Sequence, residues 1–266
     1  MKSNLKKVFK NNKLISLLYY NFYGIVRNKI LNRTRRIFKD NSNVFYNSFG
    51  IEIGGPSDIF KKNGALPIYE IVSNIDNINF SDITFWGQIG TGNNFMFNPH
   101  KLNGNQFITD ATDLGMIEDN KYDFLLSSHV LEHIANPIKA LLEWKRVLKN
   151  EGYILIILPS HKHTFDRNRI LTELNHLILD YKNDTKENDD THFDEIIRLH
   201  DVEIDTTVSS FDEHVRRTLD NFSSRIVHHH TFDMNLLISL LEYCSFDVID
   251  SQFIKPYNLV VLAKKV

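Results

Sequence analysis

Residues 122–159 read YDFLLSSHVLEHIANPIKALLEWKRVLKNEGYILIILP. Phe124, Leu125 and Leu126 make a short apolar run. Ile138, Leu141, Leu142, the stem of Lys145 and Leu148 recur at helical spacing, and residues 154–158 are apolar throughout. The pattern predicts a buried strand, a polar turn carrying His129, Glu132 and His133, a helix, and a second buried strand. Both strands are apolar at consecutive rather than alternate positions, so both faces are covered, as in a parallel sheet flanked by helices. Such sheets bind ligands at the carboxyl ends of their strands. Here that edge holds residues 127–133 after one strand and 160–166 after the next, and the chemistry is expected there.

Upstream, Phe49-Gly50-Ile51-Glu52-Ile53 reads as another buried strand, running into Gly54-Gly55-Pro56-Ser57. Glycines between a strand and a helix let a ligand approach the backbone and meet the amides of the helix start, whereas a plain tight turn is the alternative. Asp76 stands 24 residues after Glu52. That is close to where an acidic residue meets a ribose hydroxyl in nucleotide-binding folds, or else Asp76 serves a local turn. Residues 106–110 suggest a third short strand. Residues 166–222 are strongly charged and contain no proline or glycine, which predicts an insertion of two or three helices with a polar loop at 182–190. His230-Thr231-Phe232-Asp233 leads into a helix ending near Tyr243. Strands at 246–253 and 259–263 then face each other across Lys255-Pro256-Tyr257, an antiparallel edge on a parallel sheet.

A hydrophobic content of 42% over 266 residues suffices for a large core. No run of about 18 apolar residues marks a membrane span, and the basic N-terminus lacks an apolar signal-peptide core, so a cytoplasmic location is expected. Cys244, the single cysteine, lies in an apolar helical stretch and reads as a packing residue. Residues 1–40 hold eleven basic residues against one acidic one, a net charge of +10, so the remainder carries −12 of the total −2. This leading segment reads as basic amphipathic helix. It either docks on the acidic body or makes a peripheral contact with a membrane surface, which would place the protein at the inner face of the membrane. The acidic body and the lack of a nucleic-acid motif argue against a nucleic-acid partner.

The order of these pieces resembles the class I S-adenosylmethionine-dependent methyltransferases over residues 49–160 and 226–266. The resemblance implies an α/β, Rossmann-like methyltransferase fold, a mostly parallel sheet with an antiparallel last strand. Its core would comprise 41–164 and 226–266, with 165–225 as a helical acceptor-binding insertion and 1–40 as a basic helical N-terminal extension. Glu52, Gly54, Gly55 and Pro56 look like the family's glycine motif, with Pro56-Ser57 where a third glycine is usual. Asp110, Ala111 and Thr112 look like the segment that contacts adenine, and Asp76, Ser127 and Ser128 complete the implied cofactor set. The chain further resembles methyltransferase-like proteins encoded with surface-polysaccharide biosynthesis genes, in the stretches LEHIANPIKAL, TFDRNR and HHHTFD. That implies a glycan-precursor acceptor and O-methylation of a sugar, or of a phosphorylated or phosphoramidate-bearing precursor.

A sugar hydroxyl needs a base, or a metal that lowers its pKa, before it attacks the cofactor's methyl group. His129, Glu132 and His133 stand at i, i+3 and i+4, and on a helix all three share one side. With His230 as a fourth ligand they form a candidate divalent-metal set, similar to that of the metal-dependent RNA-end 2′-O-methyltransferases but richer in nitrogen, which favours zinc, iron or manganese. Without a metal, His129, His133 and His163 are the candidate bases. His161, Asp166, Arg167, Arg169 and His229 are candidate acceptor contacts; alternatively, 166–169 is a helix start with its arginines paired to acidic neighbours. Two other functions fit parts of the pattern. His129-x-x-Glu132-His133 spells an inverted zinc-hydrolase motif, but it follows a strand directly and precedes Asn136-Pro137. The irregular glycine motif would also suit a non-catalytic cofactor-binding subunit.

Overall fold

The computed structural model describes residues 35–84, 87–88, 90–205 and 207–266. Most of the basic leading segment, and with it the expected membrane contact, lies outside the described residues. Eight strands form the main sheet: β1 (Phe49–Ile53), β2 (Asn74–Asn79), β3 (Gly92–Phe95), β4 (Gly104–Ile108), β5 (Tyr122–Ser128), β6 (Leu148–Pro159), β7 (Phe246–Ile254) and β8 (Asn258–Lys265). Their order is β3-β4-β2-β1-β5-β6-β8-β7. Strands β4, β2, β1, β5 and β6 are mutually parallel, β3 is antiparallel to β4, and β8 runs antiparallel between β6 and β7. The chain direction across the sheet reverses between β1 and β5. This is the switch point at which open α/β sheets leave a crevice for ligands.

The helices are α1 (Arg36–Asn41), α2 (Pro137–Val147), α3 (Leu174–Lys182), α4 (Phe193–Leu199), α5 (Phe211–Leu219) and α6 (Met234–Tyr243), with a further helical turn at Asn221–Ser224. Pro137 opens α2 rather than interrupting a helix, because the first turn needs no donor from it. The Asn136 side chain caps α2 by accepting from the Lys139 amide at 3.1 Å. Ile138, Leu141, Trp144 and Val147 of α2 join Leu236, Leu237, Leu240, Leu241 and Cys244 from the α6 region over one face of the sheet, against Ile51, Ile53, Leu125, Ile154 and Ile156. Burial pushes the Cys244 thiol up to about 12, which suits a packing residue.

The opposite face is covered differently. Phe124, Leu126, Leu155 and Ile157 meet Phe45, which ends a short turn at Ser42–Val44, and Phe60, Leu66, Ile68 and Tyr69, which come from short turns at Asp58–Phe60 and Ile68–Glu70 and their neighbours. No α-helix comes after the glycine turn, contrary to the sequence expectation. Gly54, Gly55, Pro56, Gly64 and Pro67 break helical hydrogen bonding too often for one to propagate. At the outer edge, Arg36 of α1 holds the Asp250 carboxylate at 2.8 and 2.7 Å and donates to the Ser251 carbonyl at 3.0 Å, while the Ile37 amide donates to Gln252 at 3.1 Å. No helix among the described residues is long and apolar enough to cross a membrane.

Candidate active site

At the carboxyl end of β5 the chain turns out of the sheet through His129, which adopts the left-handed conformation at φ 56°. Its amide still donates to the Ile157 carbonyl of β6 at 2.9 Å, so the turn is fixed to the neighbouring strand. A 3-10 turn at Leu131–His133 comes next. His129, Glu132 and His133 therefore meet through this turn, not on an α-helix. Glu132 is 1% exposed, and among the described residues neither carboxylate oxygen has a donor within ordinary hydrogen-bond geometry. One of them lies 3.5 Å from His129 Nδ1 and 3.9 Å from His133 Nε2.

The third imidazole facing this carboxylate belongs to His228. One ligand atom each of Glu132, His133 and His228 lie within 4.8 Å of one another. The outer ring nitrogens are all held. His129 Nε2 donates to Asn258 Oδ1 at 2.8 Å, His133 Nδ1 to the Val227 carbonyl at 3.0 Å, and His228 Nδ1 to Asp166 at 2.5 Å. Each bond fixes a tautomer and turns the other nitrogen towards Glu132, the way outer partners orient histidines at metal and acid–base sites. Burial by itself would raise the Glu132 carboxyl, but His129, His133 and His228 outweigh it and hold the pKa below the ordinary range. Burial and the neighbouring His228 lower His133 to about 4. Burial also opposes charge on His228, yet Asp166 prevails and its pKa is raised.

Several sequence-predicted residues stand elsewhere. The His230 amide donates to the Glu132 carbonyl at 3.4 Å, but its imidazole is not turned to the Glu132 carboxylate: Nε2 pairs instead with Asp180 of α3 at 3.1 Å. His163 lies beside Ser160 at 3.1 Å and against the Phe253 ring of edge strand β7, with centroids 5.0 Å apart. Arg169 is buried and donates to Asp166, Glu195 and the carbonyls of His228 and His229. Arg167 pairs with Asp201. Arg169 is spent on these internal partners, while Arg167 stays half exposed beside Asp201. Asp166 orients His228 instead of meeting an acceptor. His229 is buried against Asn221, and His161 is also buried.

On the cofactor side the glycine turn is closed on itself. The Gly54 amide donates to the Ile78 carbonyl at 2.8 Å, that of Gly55 to Asn77 at 2.9 Å, and that of Ser57 to Glu52 at 3.1 Å. Glu52 is buried, accepting also from the hydroxyls of Ser57 and Tyr69, and burial raises its carboxyl to about 7. The residues expected to offer amides to a ligand thus spend them internally. Gly55 has no room for a side chain, since a Cβ would sit 2.4 Å from the Glu52 carboxyl. Pro56 succeeds a cis peptide bond. Asp76 lies inside β2, fully buried, and accepts from Asn105 and from the Tyr122 hydroxyl at 2.8 Å. It is three residues short of the strand's carboxyl end at Asn79, and its carboxylate faces Asn105 and Tyr122 instead of the sheet edge expected for a ribose contact.

Asp110, Ala111 and Thr112 do lie just past the carboxyl end of β4. The Asp110 carboxylate bonds the Thr112 amide and hydroxyl and pairs with Arg225 at 3.3 Å, while the Ala111 carbonyl accepts from Trp144 at 2.9 Å. Arg225 also lies over the Phe80 ring beyond β2 and pairs with Glu187 at 2.8 Å. Ser127 and Ser128 close β5, and Ser127 Oγ is buried without a hydrogen-bond partner. That orphaned hydroxyl, at the switch point, is the feature that fits a polar cofactor group.

Residues 96–156, which contain β5, the His129–His133 turn and α2, match the profile of the methyltransferase domain family. A search by sequence among curated proteins finds no match. Among solved structures, an S-adenosylmethionine-dependent methyltransferase from Mesorhizobium loti is similar with a TM-score of 0.49 at 11% identity, covering 83% of this chain and 92% of that one. One from Aquifex aeolicus gives 0.47 at 13%, covering 91% and 98%. One from Methanosarcina mazei gives 0.47 at 13%, covering 85% and 96%. The matched segment identifies a methyltransferase domain over residues 96–156, set in the mostly parallel sheet described above.

Proposed function

We propose that this enzyme methylates a hydroxyl of a saccharide, a building block of a surface polysaccharide, with His133 as the base. The observation that carries the proposal is the buried Glu132 carboxylate ringed by three imidazoles at the carboxyl edge of the sheet. When bound, S-adenosylmethionine supplies an electrophilic methyl group on a sulfonium, so alignment supplies much of the rate and the chain's task is to place and deprotonate the acceptor. His129 and His133 are the partly exposed members of the cluster, whereas Glu132 and His228 lie beneath. His133 stays unprotonated at neutral pH with its Nδ1 tied to Val227, leaving Nε2 to take the hydroxyl proton. Glu132 then balances the imidazolium, and Asp166 keeps His228 in register behind it.

The same donors suit a divalent transition metal, which Glu132, His129, His133 and His228 would hold and which would lower the pKa of a bound hydroxyl. The saccharide rests on the resemblance in LEHIANPIKAL, TFDRNR and HHHTFD. The occupied Arg169 withdraws support from a phosphate-bearing acceptor. Hydrolase chemistry is disfavoured because the inverted motif is not on a helix: His129 lies in the bend after the strand, and only Glu132 and His133 lie on the short turn that follows.

Incubation with methyl-labelled cofactor and a panel of nucleotide-activated and lipid-linked sugars tests this. Label in a sugar is expected, with a roughly 10²–10⁴-fold fall in kcat for Glu132→Gln and unchanged cofactor affinity. Absence of cofactor binding by calorimetry would end the methyltransferase reading. Transfer to protein or nucleic acid and not to any sugar would end the saccharide reading.

A further inference from the structure

A second cluster of histidines lies in the insertion, and the methyl-transfer chemistry does not use it. His176 and Asp180 stand one turn apart on α3, His192 immediately precedes α4, and His230 comes from the buried loop before α6. Their polar atoms converge. His176 Nε2 lies 3.0 Å from His192 Nε2 and 3.3 Å from Asp180 Oδ2, which is 3.1 Å from His230 Nε2. One ligand nitrogen from each of the three rings lies within 4.8 Å of the others. A zinc ion with ligands at 2.0–2.1 Å in a tetrahedron separates neighbouring donors by roughly 3.3 Å, close to the three separations found here.

Two further observations favour a metal over a plain hydrogen-bonded group. Thr185 Oγ1 donates to Asp180 Oδ1 at 3.2 Å, leaving Oδ2 turned to the histidines as an outer partner does for a ligating carboxylate. And two imidazole nitrogens 3.0 Å apart can share only one proton, so hydrogen bonding alone leaves this convergence of three rings under-used.

We propose that His176, Asp180, His192 and His230 bind one zinc-type divalent ion. Four protein ligands leave no open position, so the site is structural rather than catalytic. It joins α3, the start of α4 and the loop that delivers His228, and it staples both ends of the segment between Asp180 and His192. That segment includes Glu187, which accepts from the Ala135 amide at 3.1 Å and pairs with Arg225. The ion therefore fixes the insertion over the sheet edge. His176, the most exposed ligand at 40%, marks the entry path.

The test uses full-length protein without a histidine tag, stripped with chelator and titrated with Zn²⁺ and Co²⁺, metal content being read by mass spectrometry. Wild type should take up one equivalent that Glu132→Gln retains and His176→Gln/His192→Gln loses. The Co²⁺ form should show the intense visible bands of tetrahedral coordination, and added Zn²⁺ should raise the melting temperature of wild type but not of the double variant. Equal zinc uptake by wild type and a double variant of unchanged circular dichroism would overturn the proposal. So would an octahedral Co²⁺ spectrum or no uptake by wild type, both readable even if the variant does not fold. Absence of methyl transfer by wild type that holds this equivalent would count against the catalytic reading alone.

Discussion

At the scale of single residues, the site is a set of histidines whose charge is decided by what holds their outer nitrogens. His133 is the clearest case. Its pKa lies near 4 instead of 6.5 because burial and His228 oppose the proton. If its Nε2 takes the acceptor proton, activity should persist through pH 5 and fall only towards pH 4, and a pH–rate profile with an acid limb near 6.5 would contradict it. The same shift acts on stability. Between pH 6.5 and about 4 the unfolded chain binds a proton that the folded chain refuses, so this stabilising contribution is present above 6.5 and is lost as pH falls. The stability advantage of wild type over His133→Gln should therefore shrink by up to about 3 kcal/mol from pH 7 to pH 4, as denaturant titration at each pH will show. Asp166 is held well below the usual carboxylate range, burial notwithstanding, by His228 and Arg169. Asp166→Asn should cost on the order of 3 kcal/mol because His228 stays buried without its charge partner and Arg169 keeps only Glu195. Its pH–rate profile should also change shape, which loss of packing alone would not cause.

At the scale of elements, the turn after β1 and the loops beyond β2 and β4 mark the boundary of what the sequence discloses. The strand–helix–strand unit at 122–159 is legible because consecutive apolar residues and a helical repeat have no competing reading there, and observed elements fall at Tyr122–Ser128, Pro137–Val147 and Leu148–Pro159. The helix expected after Gly54-Gly55 is absent, since a glycine turn announces a bend but not the element beyond it. Spacing counted from Glu52 misplaces Asp76, because the end of β2 carries no signal of its own in the sequence. The choice of His228 over His230 depends on a bend within three identical residues, which no local pattern encodes. Asp166 is visible in the sequence as a candidate acceptor contact or a helix-start acid but not as the partner of His228, which is 62 positions away. Gly55→Ala should destabilise by about 2–4 kcal/mol, since the new methyl meets the Glu52 carboxyl and Asn77 and neither can retreat from its bonds. Arg225→Ala removes the partner shared by Asp110 and Glu187. The insertion should then loosen, with faster proteolysis at 183–191 and weaker cofactor binding in calorimetry, while the sheet's melting changes little.

At the scale of the molecule, the outer strands of the sheet among the described residues are β3 and β7, and the unpaired backbone of a long edge strand such as β7 invites association. Helix α1 covers part of it through Arg36 on Asp250 and the Ser251 carbonyl. Arg36→Ala/Asp250→Ala should leave methyl transfer intact and increase concentration-dependent association, measured by light scattering. The ring around Glu132 is closed by residues far along the chain. His133 meets Val227 across 94 positions and His129 meets Asn258 across 129. Strands β1 to β6 all lie within the first 159 residues, so the parallel half of the sheet has its sequence complete while the insertion, His228 and β8 are still unmade. Long loops close late in folding. The pocket is thus among the last parts to form on the nascent chain, and a partly synthesised chain carries the Glu132 carboxylate without the partners that make it reactive. Catalytic competence in this enzyme then signals that synthesis and folding have both reached the final strand.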